Sequence, residues 1–500
     1  MKNAKKLLSI LLAVLMIFSV SSIAFAAEAS EPDCPVIHIP GFYSADIYAD
    51  VENPETLIAL PTTEEILELV KTTVVPALAV FSVSRDTDAL ATDICAGINV
   101  MFEDWFNEST GEAKEGSGII FSAPTVAAKD SKYTFRYDWR SDPVIIAQNL
   151  SDYIDAVINL SDSETVALSC HSLGSSIALA YLTEFGNEKI DSIIFDSPAC
   201  SGVAVVGNLL TGEVTLDGKA VATFLKTVLG ESEYESLLAS VLDIFEMAEI
   251  PELFTLFVDE IIEILAPAVY KKTLAPLFGY WPTIWSMVPD AKLDQAKAYI
   301  FDEILKDEDL SVLKEKIEAY DAVREKRAET LTAFDEKGTF AILSRYGSTA
   351  FPLNGSSDLV GDSVIETCSS SLGATTAPLG NYFSDAYLEG KDMDYISPDR
   401  TIDASTCLFP EKTWFIKNSG HFETHYTDDY YDFFLFAEEE LTCNKTEFGR
   451  FCTFETENYT LVKDTSEPQK AENSSPLTRL FTFLAALFEH IGALLKKLFA

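Results

Sequence analysis

The chain reads as an α/β protein: a mostly parallel β-sheet flanked by helices and split by one large helical insertion. Three observations predict this. Short apolar, β-branched runs alternate with runs of helical period between Val36 and Phe195, the pattern of strand–helix–strand crossovers. The run Thr165-Val166-Ala167-Leu168 breaks at Ser169-Cys170-His171-Ser172-Leu173-Gly174 and passes straight into the helical run Ile177–Leu182, which is the pattern of a sharp strand–serine–helix turn. Strand signals return at Thr339–Ser344 and Thr413–Ile416 after a long helical block, so that block is an insertion within one sheet.

The amino terminus is set apart. Lys2, Lys5 and Lys6 precede an apolar run from Leu7 to Val20, and Ala24-Phe25-Ala26 supplies small residues at a cleavage spacing. Residues 1–26 therefore read as a secretory signal peptide, with the mature chain expected to begin near Ala27 and to be secreted or held at the cell surface. The net charge of −43 excludes nucleic acid as a partner, since phosphate binding needs a basic surface. It also disfavours recruitment of the protein body to anionic lipid. None of the eight cysteines forms a Cys-x-x-Cys pair, so no metal site is expected. An oxidising destination allows disulfides; Cys443 and Cys452 could pair across a short hairpin, and isolated buried thiols fit equally.

Residues 27–202 form the first part of the core. Pro35–Ile39 reads as a buried strand turned by Pro40-Gly41-Phe42-Tyr43, and Tyr133–Tyr137 as a second strand leading into Asp138-Trp139-Arg140. Ile145, Ile146, Leu150, Tyr153, Ile154 and Val157 then recur at helical spacing. After the serine turn, Ile190–Phe195 is a further strand, ending at Asp196-Ser197-Pro198. In parallel sheets function gathers at the carboxyl ends of strands, where each of these turns falls.

Residues 203–337 are helical. Leu310, Leu313, Ile317, Tyr320 and Val323 make one apolar stripe, and Pro251, Pro267 and Pro282 divide the block into separate helices. Its aromatic and aliphatic content suits a helical subdomain with its own core that also serves as a cap over the site and lends a groove for an acyl chain. Residues 338–462 complete the core, and 463–476 read as a polar linker. In the tail, 477–500, Leu480, Leu484, Leu487, Ile491, Leu494 and Leu498 form an amphipathic stripe. It fits a helix lying in a membrane interface, or one that docks on the protein itself or on a second copy.

The chemistry follows from the serine. Its turn is so tight that the residues two before and two after must be small, and they are Cys170 and Gly174. The next helix directs its amino terminus, and the positive end of its dipole, towards Ser172. A serine hydroxyl needs a base, usually histidine. Of five histidines, His38 lies inside a strand, His171 adjoins the serine with its side chain expected to point away, and His490 is in the tail. His421 and His425 remain, and His421, in a Ser-Gly turn directly after the last core strand, is preferred. The base needs a carboxylate to fix its tautomer. Asp362, in a Gly-Asp-Ser turn, is favoured over Asp358 and Asp196, although among 79 acidic residues spacing discriminates weakly. An oxyanion requires backbone N–H donors, expected from Leu173 and from Phe42 or Tyr43, with Gly41 allowing close approach.

Ser172 in its turn, Pro40-Gly41-Phe42, Tyr137-Asp138-Trp139-Arg140, Gly361-Asp362-Ser363-Val364 and the late His421 together resemble the α/β-hydrolase superfamily, in particular its secreted lipases and the lecithin:cholesterol acyltransferase-like branch. The segments Asp362–Thr375, Ile396–Asp399 and Ile402–Cys407 are similar to secreted lipase-like hydrolases of Gram-positive bacteria. The resemblance covers the core but not the insertion or tail, and departs from the common pattern at Cys170 and Pro40. It implies Ser172 as nucleophile, Asp362 as acid and His421 as base. The reaction expected is cleavage of acyl esters without a cofactor, with the apolar insertion pointing to lipid-like ones. An acyltransferase of the same fold is the near alternative. A surface-associated binding protein on a catalytically weak hydrolase scaffold is the alternative of another class.

Overall fold

The structure is a computed structural model that describes residues 34–59, 61–126, 131–213, 267–350, 359–422, 429–436, 441–455 and 460–468. The segments read as signal peptide and amphipathic tail, and much of the insertion, lie outside the described residues.

The main sheet has eight strands: β1 (Val36–Ile39), β2 (Lys132–Thr134), β3 (Val166–His171), β4 (Ile190–Asp196), β5 (Thr339–Tyr346), β6 (Thr413–Lys417), β7 (Phe451–Phe454) and β8 (Leu461–Lys463). Their order is β8-β7-β6-β5-β4-β3-β1-β2, and every neighbouring pair is parallel except β7–β8. The inner strands β3, β4 and β5 are almost wholly buried, which is why they read as continuous apolar runs rather than alternating ones. The second strand is shorter than the run Tyr133–Tyr137 suggests; Phe135 and Tyr137 are buried past its end as part of the turn that follows.

The chain leaves β1 for the edge strand β2, then returns to the other side of β1 and winds outward from β3. Strand order therefore reverses between β1 and β3, and the carboxyl ends of the strands at such a reversal are the usual place for a ligand in sheets of this kind. Helix α1 (Pro143–Ser161) starts on an Asp142 cap with Pro143 in its first turn and ends at Asp162 in the left-handed conformation. Helix α2 (Gly174–Phe185) is buried over its first nine residues, Gly174 to Leu182. It packs against α1, α3 (Ser311–Glu325) and α4 (Arg327–Asp335). Its small residues Ser175, Ser176, Ala178 and Ala180 let those neighbours approach closely.

The insertion occupies the crossover from β4 to β5. Its described residues share one continuous apolar core with the sheet. Trp281 donates Nε1–H to the carbonyl of Trp105 at 3.0 Å, Thr283 donates its hydroxyl to the carbonyl of Trp139 at 2.6 Å, and the Trp139 and Trp281 rings meet edge to face at 5.5 Å. Further along the chain, the segment read as a linker stays on the core at its start: Asp464 is buried and accepts from Tyr346 Oη at 3.0 Å.

All eight cysteines are free thiols, seven of them buried. Cys443 lies in a short turn and Cys452 in β7, each thiol directed to a different backbone carbonyl, at Thr413 and Phe415, so the two do not pair.

Candidate active site

The β3-to-α2 turn sets Ser172 at φ +53°, a conformation that L-residues seldom adopt and that a sharp strand-to-helix turn imposes. Space forces the neighbours to be small. A β-carbon on Gly174 would stand 2.1 Å from the carbonyl oxygen of Ile39, and one on Gly41 would stand 2.8 Å from the β-carbon of Ser172. Cys170 is fully buried in β3, where a thiol fits the space. The turn is pinned by backbone hydrogen bonds: Ser172 N–H donates to the carbonyl of Asp196 at 3.1 Å, and the Ser172 carbonyl accepts from the Ser175 hydroxyl at 2.7 Å and from Ala199 N–H at 3.1 Å.

His421 follows β6, and Asp362 follows the short strand Val360–Gly361, which pairs with Ser348–Thr349 just beyond the carboxyl end of β5. The structure brings them to the serine in one hydrogen-bonded chain. His421 Nε2 is 3.1 Å from Ser172 Oγ, and His421 Nδ1 is 2.8 Å from Asp362 Oδ2. The second Asp362 oxygen accepts from Val364 N–H at 2.9 Å and Ile365 N–H at 2.7 Å. Burial would raise the Asp362 carboxyl, but the adjacent imidazole and these two N–H groups outweigh it and hold the carboxyl below its ordinary range. A carboxylate can only accept, so His421 carries its proton on Nδ1 and presents the Nε2 lone pair to the Ser172 hydroxyl. Ser172, His421 and Asp362 are all buried, the last completely. Such a chain can withdraw a proton from the serine as it attacks an electrophile and return it to a leaving group.

The residues singled out as N–H donors border the same point. Leu173 caps α2 immediately before Gly174, with φ −55° and ψ −30°, at the end of the helix where N–H groups have no partner within it. Phe42 and Tyr43 lie in the turn after β1, and Tyr137 donates its hydroxyl to the Pro40 carbonyl at 2.5 Å, bracing that turn. The Phe42 ring packs edge-on against Trp139 at 4.5 Å. Phe422 is 43% exposed and stands edge-on to the His421 ring at 5.1 Å, giving the site an apolar rim.

The other candidates are disposed differently. Asp196 does not face His421: its carboxylate is committed to Arg345, with Nε and Nη2 donating at 2.9 and 2.7 Å, and to the Tyr431 hydroxyl. Burial acts to raise its pKa, but the Arg345 cation prevails and takes it down to about 2. Asp358 and His425 lie outside the described residues. His171 departs from expectation. Its ring does not simply turn away but lies 4.7 Å from the His421 ring, and its Nε2–H donates to the His421 carbonyl at 3.0 Å. Burial, reinforced by His421, lowers its pKa to about 3, so it stays neutral. Nothing local in the sequence pairs His171 with a residue so distant. Arg345 was missed altogether, for it reads as one polar residue near the end of an apolar strand. Among the described residues no cluster of His, Cys, Asp or Glu has the make-up of a metal site.

No protein-family model matches the sequence, and no curated protein matches it. Solved structures similar to this chain include a chain of the Tle4–Tli4 complex, at 12% identity and TM-score 0.29, covering 68% of this chain and 89% of that one. A thermophilic esterase from Thermogutta terrifontis is similar at 11% identity and TM-score 0.17, covering 59% of this chain and 92% of its own. A hydrolase, olei00960, from Oleispira antarctica is similar at 12% identity and TM-score 0.16, covering 60% and 99% respectively. The sheet order, its parallel sense in all but the last strand, and the strand–Ser172–helix turn at the point of reversal make this the α/β-hydrolase fold.

Proposed function

We propose that the protein is a serine ester hydrolase that cleaves acyl esters through an acyl-enzyme. The observation that carries this reading is the single hydrogen-bonded chain from Ser172 Oγ through the His421 ring to Asp362, set at the reversal of strand order. In this reading Ser172 Oγ attacks the ester carbonyl while His421 Nε2 takes its proton. The imidazolium is stabilised by Asp362, and the N–H groups of Leu173 and Phe42 receive the oxyanion. His421 then returns the proton to the departing alcohol, and water, activated by the same ring, releases the acid.

The preference for lipid-like acyl groups rests on the exposed Phe422 ring beside His421 and on the apolar composition of the insertion. In the same proposal, residues 1–26 direct export, and residues 477–500 provide peripheral attachment to a membrane or to a second copy. The test is labelling by a fluorophosphonate probe, with Ser172→Ala as control. The native chain is expected to label and the variant not to; equal labelling of both would reject Ser172 as nucleophile. Chromogenic esters of graded chain length then measure the acyl preference, and a medium- to long-chain optimum is expected.

A further inference from the structure

The geometry points to Arg345 and Asp196 as a bracket that sets the distance between Ser172 and His421, with Arg345 as a positioning residue. This rests on the serine-hydrolase reading and deepens it. Arg345 stands near the carboxyl end of β5 and Asp196 at the end of β4, and both are fully buried. Arg345 uses one edge of its guanidinium for Asp196, through Nε to Oδ1 at 2.9 Å and Nη2 to Oδ2 at 2.7 Å. The remaining arm, Nη1, donates to Ser419 Oγ at 2.6 Å and to the Gly420 carbonyl at 3.3 Å. Those two residues immediately precede His421.

The other end of the bracket is the nucleophile. The backbone carbonyl of Asp196 accepts the N–H of Ser172 at 3.1 Å. One residue thus holds Ser172 by its main chain and, through Arg345, holds the His421 loop by its side chain. Tyr431 donates its hydroxyl to Asp196 and limits the movement of the carboxylate. On the far side of the loop, His421 N–H donates to the Asp362 carbonyl at 2.7 Å, and His171 Nε2–H donates to the His421 carbonyl at 3.0 Å.

A buried ion pair is a poor device for stability alone, because apolar residues of similar volume often serve as well or better. What a merely structural pair does not need is the third arm on Ser419 and Gly420. A planar guanidinium can supply all of these bonds in fixed directions, whereas an ammonium cannot. Proton transfer from Ser172 tolerates little error, since an error of 1 Å costs about a hundredfold in rate.

The test uses the full-length chain and a chromogenic short-chain ester, recording kcat, KM and melting temperature for Ser419→Ala, Ser419→Thr and Arg345→Lys. Ser419→Ala removes only a hydroxyl and is expected to lower kcat about ten- to hundredfold, with KM and melting temperature close to native. Ser419→Thr, which returns the hydroxyl, is expected to recover most of that loss. Arg345→Lys keeps the charge opposite Asp196 but not the fork, and is expected to lose kcat like Ser419→Ala. Native kcat in Ser419→Ala, or a loss that Ser419→Thr does not recover, overturns the positioning role. A native chain that neither hydrolyses esters nor reacts with a fluorophosphonate overturns the hydrolase reading itself, which separates the two failures.

Discussion

Replacing Asp362 by Asn tests the proposed chemistry with the least disturbance of shape. The Asp362 carboxylate accepts three N–H groups: His421 Nδ1 at 2.8 Å on one oxygen, and Val364 and Ile365 at 2.9 and 2.7 Å on the other. An asparagine keeps one oxygen and gains an NH2. If the oxygen stays with the two backbone donors, the NH2 faces His421 Nδ1 and obliges that nitrogen to accept. The ring proton then moves to Nε2, which points at Ser172 Oγ and can no longer receive a proton. The flipped amide would preserve the active tautomer only by setting NH2 against two buried N–H groups, at a cost of about 1–3 kcal/mol for each unsatisfied donor. The unproductive arrangement therefore wins. A carboxylate lost in this way from a Ser-His-Asp triad lowers kcat about 10⁴-fold, equivalent to about 5 kcal/mol of barrier. Ester turnover and the rate of fluorophosphonate labelling measure the loss, and the melting temperature verifies the fold. Turnover within about tenfold of native would refute the claim that this carboxylate sets the tautomer of His421.

Other consequences can be checked alongside. Gly174→Ala would bring a methyl group 2.1 Å from the Ile39 carbonyl oxygen and 3.0 Å from that of Pro40. Denaturant unfolding is expected to reveal a loss of at least about 1–3 kcal/mol. His38, buried in β1, has its pKa lowered to about 3 by burial. The unfolded chain takes up this proton first, near pH 6.5, so the stability due to the neutral ring is complete above that pH and declines as pH falls towards 3. His38→Leu is accordingly expected to flatten the dependence of the denaturation midpoint on pH across that interval. Burial pushes the Cys170 and Cys452 thiols well above their ordinary pKa, while Cys368 is partly exposed and raised to about 11. Iodoacetamide is expected to reach Cys368 first in the native chain and the other two only after unfolding; early modification of Cys170 would contradict the packing of the β3-to-α2 turn.

How much of this was legible depends on the range over which each feature is encoded. The turn at Ser172 is local: an abrupt end to a β-branched run, small neighbours and an ensuing helix are all that a positive φ between strand and helix requires. The inner strands and α2 were legible for the same reason, since burial on both faces leaves a continuous apolar run. His421 could be singled out because five histidines left few candidates near the end of a strand. The carboxylates could not be ranked so firmly. Asp196 and Asp362 both follow strands, and only the packing of β4 beside β5 commits the first to Arg345 and leaves the second to His421.

The sequence by itself determined the alternation of strand and helix, the site of the sharp turn and the interruption of the sheet by helices, because these follow from periodicity and steric limits over a few residues. Tertiary structure alone decided which aspartate meets the imidazole, that His171 supports the backbone of His421, and that Arg345 ties the ends of β4 and β5 to the loop after β6. Those contacts join residues dozens to hundreds of positions apart, and hydrogen-bond geometry at such separations is set by strand order and register, which no local pattern encodes.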